Sequence, residues 1–220
     1  MADGSLISDS CDSMKQVVIV DYGMGNIYSV SSAIEYLGLS ARLSSDRKDI
    51  FSADFLIMPG VGSFNLAMRK IREMGLDEVL YGAVIERKIP ILGICLGMQL
   101  LAKSGTEDGY SEGLGFINGV VERFNPEGTD VKIPHVGFAP TQLIRHSSPL
   151  FKDLPEQVDF YYVHSYRMIC ASEVLLATGH NGETFAAAVG DGTIYGTQFH
   201  PELSQTNGLK VLKNFFNECG

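Results

Sequence analysis

Apolar positions in the first half of the chain follow two alternating rhythms. Val17–Val20 is a short β-branched run that reads as a buried strand and stops at Asp21. After the turn Asp21-Tyr22-Gly23-Met24-Gly25-Asn26, the residues Ile27, Val30, Ile34 and Leu37 recur at helical spacing, and Gly38 closes that helix. Phe55–Met58 is a second apolar strand, broken by Pro59-Gly60. Residues 64–73 and 76–88 read as helices parted by Gly75. Ile91–Ile94 is a third strand that runs directly into Cys95 and a helix through Ala102. Repetition of strand, turn and helix predicts an α/β protein with a parallel sheet, because parallel strands need crossover helices.

The second half changes rhythm. Short strands are expected near 119–124, 158–163, 173–178, 184–189 and 194–199, separated by glycine, asparagine and proline clusters, and a helix at about 207–218 closes the chain. No linker, repeat or low-complexity stretch follows residue 14. The expected organisation is therefore one α/β domain over 15–220, with extra β-structure in its C-terminal half. Residues 1–14 are expected to form a disordered leader, being polar and acidic ahead of the first strand.

Composition narrows the function classes. The 220 residues are 45% hydrophobic and 20% charged, as in an ordinary globular protein. Lys and Arg number 17 against 26 Asp and Glu, a net charge of −9, which argues against nucleic acid as a partner. No apolar run approaches the roughly 18 residues that span a bilayer, and the N-terminus has no signal-peptide pattern, so the expected location is the cytoplasm, with no membrane partner. The four cysteines, at 11, 95, 170 and 219, form no CxxC pair, and neither a metal nor a cofactor is expected.

One of those cysteines carries a chemical signal. Gly93-Ile94-Cys95-Leu96-Gly97 follows a strand and precedes a helix, the layout of a nucleophile elbow with cysteine in the serine position. Flanking glycines leave room for the tight turn, the side chain is pushed out above the sheet, and the helix N-terminus favours a thiolate. The N–H of Leu96 can then hold an oxyanion. A thiolate needs a base, and the base an orienter. Of five histidines, His200 stands out, since it follows a strand and precedes Pro201-Glu202. In extended geometry Glu202 projects to the same side as His200, which gives the candidate triad Cys95, His200 and Glu202. The Gly60-Val61-Gly62 turn ends the second strand and could supply a further oxyanion donor. The early glycine turn is not G-x-G-x-x-G, and no P-loop is present, so nucleotide binding is rejected.

The segments PGVGSF, GICLGMQLL, KIPHVGF, YYVHSY and QFHPELS occur in this order. With DYGMGNIYSV, they resemble the glutamine amidotransferase subunit of imidazole glycerol phosphate synthase, a class I (triad) amidotransferase, over about residues 15–218. The resemblance implies a flavodoxin-like fold, with a central mostly parallel sheet flanked by helices. It makes Cys95 the nucleophile on L-glutamine, His200 the base and acid, and Glu202 the orienter. The oxyanion would rest on Leu96, Gly60, Val61 and Gly62. Gln99 and Glu107 would hold the amino-acid end of glutamine, with backbone from His164, Ser165 and Tyr166. The expected partner is a (β/α)8 cyclase in a heterodimer, which receives the ammonia and makes imidazole glycerol phosphate and aminoimidazole carboxamide ribotide in histidine biosynthesis.

Two places depart from the family pattern. Phe138-Ala139 stands where the family has Trp-Asn, and Leu203 where it has Lys. Both lie, in the family, near the partner interface. The alternative reading is therefore a paralogous subunit that supplies ammonia for sugar amidation in surface-polysaccharide biosynthesis. A stand-alone cysteine hydrolase on the same elbow is the third reading.

Overall fold

The computed structural model describes residues 15–125 and 131–220, so the expected leader, residues 1–14, lies outside the described residues. In chain order the first half runs β1 (Val17–Val20), α1 (Ile27–Tyr36), β2 (Ala41–Ser44), α2 (Arg47–Ser52), β3 (Phe55–Gly60), α3 (Phe64–Glu73), α4 (Leu76–Leu80), β4 (Ile91–Cys95) and α5 (Leu96–Leu100). The second half adds β5 (Ser104–Gly105), β6 (Ser111–Glu112), β7 (Gly119–Arg123), β8 (His135–Leu143), β9 (Gln157–His164) and β10 (Tyr166–Cys170). It ends with β11 (Leu175–Asn181), β12 (Glu183–Asp191), β13 (Ile194–Thr197) and α6 (Gln205–Glu218).

Nine strands form one sheet in the order β2-β1-β3-β4-β13-β12-β11-β8-β9. The first five are parallel to one another, in the flavodoxin-like order, and the remaining four extend the sheet antiparallel. The extra β-structure of the C-terminal half is thus a continuation of the same sheet, plus a small second sheet, β10-β7-β5-β6. The short apolar runs are buried on both faces, as parallel strands require. Alternate residues feed opposite sides. Val18, Val20, Leu56 and Met58 pack with Ile50, Phe64 and Met68 from the helices on one side. Val17, Ile19, Phe55 and Ile57 pack with Val30, Ile34, Val211 and Phe215 on the other.

The differences from the sequence reading have local causes. The helix expected over 76–88 is α4 followed by a π-helical turn, Tyr81–Glu86. There Gly82 lies so close to Phe51 that a Cβ would stand 2.8 Å from its ring. The strand and helix β2 and α2 were not expected, because Arg42, Leu43 and half of α2 face solvent at the sheet edge and show no buried periodicity. The strand β8 is interrupted in sequence by Gly137, at φ +122°, and by Pro140, which lies opposite Asp159 of β9. Both residues read as breakers, yet β9 pairs with the strand from His135 to Gln142, and β11 joins it only at Thr141–Leu143, so Gly137 and Pro140 lie where the strand has a single neighbour. The strand expected at 173–178 is shifted to β11, and that expected at 194–199 stops at Thr197.

Candidate active site

Three parallel strands deliver the candidate residues to one end of the sheet. The strand β3 ends at Gly60 and leads into Val61 and Gly62. Its neighbour β4 ends at Cys95, and Gly60 and Cys95 are register partners. The strand β13, on the other side of β4, ends three residues before His200. Ligands in open α/β sheets bind at such carboxyl ends.

Cys95 has φ +55° and ψ −109°, a strained backbone that turns its side chain away from the sheet. The glycines on either side leave no alternative. A Cβ on Gly93 would come within 2.7 Å of the backbone of Gly97, and one on Gly97 would overlap the carbonyl of Met58. The thiol is buried and lies 3.7 Å from the Val163 carbonyl, to which it can donate. The following helix, α5, is only five residues long. Its help to a thiolate is confined to first-turn N–H groups, among them that of Leu96.

His200 and Glu202 form a closed pair. His200 Nδ1 donates to Glu202 Oε1 at 2.8 Å, and both side chains are almost wholly buried. Glu202 reaches His200 from a 3-10 turn, Pro201–Leu203, not from the extended strand that the spacing suggested. Pro201 opens that turn because its fixed φ suits a helical first position. The backbone of His200 is anchored as well. Its N–H donates to Tyr161 O at 2.9 Å, and Ser204 Oγ donates to its carbonyl at 2.6 Å while accepting from Tyr161 N. The other ring nitrogen, Nε2, is buried and makes no hydrogen bond among the described residues. Burial works against an imidazolium here, but the adjacent Cys95 sulfur and Glu202 carboxylate more than offset it and hold the His200 pKa up, to about 10.

In front of the sulfur lies a cavity of about 190 Å³, lined by Val61, Gly62, Cys95, Leu96, Gln99, Glu107 and residues 163–166. That is below the roughly 300–1,000 Å³ of drug-sized pockets and suits a small metabolite. Nine of the twelve candidates from the sequence meet here. Gly60 does not line the cavity; it is packed against Tyr22 and Leu96. His200 and Glu202 also lie outside the lining. Gln99 is buried, and its Nε2 donates to Tyr166 O and to Gln198 Oε1, both at 3.0 Å. Glu107 accepts from Phe64 N, the first residue of α3, at 3.1 Å. Burial pushes the Glu107 carboxyl up, that N–H draws it down, and Asp108 adds to the upward push.

His164 donates from Nδ1 to Tyr166 O at 2.8 Å, which leaves its Nε2 to accept from His135 Nδ1 at 3.3 Å. Burial drives the His164 pKa down to about 3, so this ring is neutral beside the charged His200. The Tyr22 hydroxyl donates to Pro59 O at 2.6 Å and tethers the strand end before the Gly60–Gly62 turn. Three of these residues, Tyr22, Gln198 and Ser204, were not singled out from the sequence, although all three lie inside the segments DYGMGN and QFHPELS. Among the described residues no cluster of His, Cys, Asp and Glu suits a metal, and no helix is long and apolar enough to cross a membrane.

Comparison with known proteins agrees in sequence and in fold. The family model described as glutamine amidotransferase class-I matches residues 18–219. The imidazole glycerol phosphate synthase subunit HisH 1 of Campylobacter jejuni subsp. jejuni serotype O:23/36 (strain 81-176) is 43% identical over 199 residues, covering 90% of this chain and 98% of that protein. The subunit HisH of Geobacillus sp. (strain WCH70) is 45% identical over 201 residues, covering 90% and 94%. Among solved structures, PurLQS from Thermotoga maritima superposes with a TM-score of 0.70 at 18% identity, over 94% of this chain and 100% of that one. A crystal structure of a glutamine amidotransferase gives 0.71 at 22% identity, over 92% and 98%. At those identities the two structures speak for the fold alone.

Proposed function

The chain belongs to the class-I glutamine amidotransferases, and from that premise we propose that it is the glutaminase subunit of an imidazole glycerol phosphate synthase, acting in histidine biosynthesis. One observation carries the reading: Cys95, Gln99, Glu107 and the 163–166 segment line one small cavity, beside a buried His200–Glu202 pair.

The chemistry follows from the side chains. Glutamine lies with its carboxamide at Cys95 and its amino-acid end toward Gln99, Glu107 and the backbone of residues 164–166. The Cys95 sulfur attacks the amide carbon, and the oxyanion that forms takes hydrogen bonds from Leu96 N–H and from the turn containing Val61 and Gly62. His200 passes its proton to the departing nitrogen, and ammonia leaves. Water then attacks the γ-glutamyl thioester, with His200 as base, and releases glutamate and the thiol. Glu202 holds the imidazole in one orientation throughout and balances its charge. Ammonia released into water at neutral pH would be protonated and lost as a nucleophile, so a partner must receive it directly. That partner is a (β/α)8 cyclase, joined in a cytoplasmic heterodimer.

A second reading has a specific observation in its favour. Phe138 and Leu203, where the chain departs from the family, are 50% and 38% exposed. They would suit a partner other than the histidine-pathway cyclase, such as one that amidates a surface sugar. Reconstitution separates the two. With the histidine-pathway cyclase, the expected outcome is a stable heterodimer whose glutamine hydrolysis exceeds that of the free chain by at least tenfold. If only a sugar-pathway barrel subunit binds and stimulates, the histidine assignment is wrong and the second reading stands.

A further inference from the structure

Gln198 lies between the candidate nucleophile and the candidate substrate-binding amide, and it touches both. It follows β13, is fully buried, and its backbone N–H donates to Ala187 O of β12 at 2.9 Å. Its side chain is therefore carried by the rigid middle of the sheet, not by a loop.

The direction of each hydrogen bond here follows from a single backbone group. The carbonyl of Tyr166 can only accept, so the group of Gln99 that faces it at 3.0 Å is the Nε2 amide nitrogen. The second proton of that nitrogen is directed at Gln198, 3.0 Å away, and Gln198 must meet it with its carbonyl oxygen. That leaves the Gln198 nitrogen to face the remaining neighbour, the Cys95 sulfur, at 3.7 Å. Both protons of the Gln99 amide are then used, and nothing among the described residues donates to Gln99 Oε1. That oxygen is the group Gln99 has left to offer a ligand, and an acceptor suits an α-ammonium group. At the other end of the chain of bonds, an N–H donor on the sulfur stabilises a thiolate over a thiol.

We propose that Gln198 is a positioning residue for the amidotransferase reaction, whose one amide both stabilises the Cys95 thiolate and orients Gln99 for the substrate. The inference rests on Cys95 as nucleophile and Gln99 as a glutamine contact. It adds that the two are coupled through Gln198, so one substitution should disturb both the charge on sulfur and the affinity for glutamine. A residue that only fills space would do neither selectively.

Two measurements on the full chain test this. The first is the pH profile of iodoacetamide alkylation at Cys95, read on the Cys95 peptide by mass. Gln198→Met conserves volume and removes both the donor and the acceptor. It is expected to slow alkylation at neutral pH about tenfold and to move the profile up by about one pH unit. Gln198→Asn, shorter by one methylene, withdraws the amide from both partners without placing an apolar group in the site, and should move the profile the same way should the Met variant fold poorly. Gln99→Met removes the donor that fixes which way the Gln198 amide faces, so it should move the profile the same way but by less.

The second measurement is KM for glutamine in the assembled complex. Gln198→Met and Gln99→Met are each expected to raise it roughly tenfold, and the double variant no further, because both act through the same amide. An unshifted alkylation profile in the Gln198 variants, or KM effects that multiply in the double variant, overturns the inference while leaving the nucleophile in place. If wild-type Cys95 in the assembled complex does not alkylate at all, the nucleophile reading falls and takes this inference with it.

Discussion

At the scale of single residues, the Cys95 sulfur and the Glu202 carboxylate together outweigh burial and set the charge of His200. An imidazole ordinarily loses its proton near pH 6.5, whereas His200 keeps its proton up to about 10. Between those values the folded protein binds more protons than the unfolded chain does, so the contacts of His200 with Cys95 and Glu202 add stability that falls as pH rises. That contribution is complete below pH 6.5 and is gone once the pH has passed through about 10. Replacing Glu202 with Gln removes the carboxylate and lowers the His200 pKa. The melting temperature of wild type should therefore exceed that of Glu202→Gln most clearly below pH 6.5, and the gap should close by about pH 10. A gap that stays constant over this range contradicts the assigned cause. Turnover of glutamine at neutral pH by the same variant is expected to fall on the order of 100-fold. The choice of His200 was open to sequence reasoning because Pro201 and Glu202 follow it directly. Gln198 was not, since an amide two residues earlier has no signature until the fold brings Gln99 and Cys95, about a hundred positions away in sequence, against it.

At the scale of elements, the strand-to-helix elbow at Cys95 is a steric construction. The strand β4 turns into α5 within one residue, at Cys95, and does so only because Gly97 lies against the Met58 carbonyl of β3. Gly97→Ala has no flexible side chain to displace, only backbone. It should lower stability by about 3 kcal/mol in urea unfolding and displace the sulfur enough to abolish turnover. A variant as stable as wild type would show that the turn is not held by this contact. The elbow was legible in the sequence because its glycines are local, as were β1, β3, β4 and the helices whose apolar residues recur every three or four positions. The strand β8 was not legible. Gly137 and Pro140 break the pattern locally, and the hydrogen bonds that hold the strand come from β9 and β11, partners a linear reading does not see. The expected extended arm from His200 to Glu202 failed for a related reason: Pro201 favours a tight turn as readily as a strand, and the outcome is a 3-10 turn that still joins the two side chains.

At the scale of the molecule, the sheet is a device for collecting ends. Gly60, Cys95 and the segment leading to His200 leave adjacent parallel strands at one edge, and the antiparallel extension brings Val163 to Tyr166 over the same place. A linear reading could name most of the cavity's lining, because the family's segments occur in order, but the cavity itself exists only once β9 brings residues 163–166 over the ends of β3 and β4. The exposed Phe138 and Leu203 belong to this scale too, because under the proposed function they bear on the choice of partner and not on how the amide is cut.

Under the proposed function, glutamine is cut at Cys95 and its ammonia passes to a second subunit. The most direct measurement is synthesis by the reconstituted complex of the Cys95→Ser variant, supplied with glutamine in one assay and with ammonium salt in the other. The predicted result is loss of glutamine-dependent turnover by at least 1,000-fold, with ammonium-dependent turnover close to wild type, since only the nucleophile has changed. Glutamine-dependent synthesis that survives the substitution, or ammonium-dependent synthesis that is lost with it, would contradict the account.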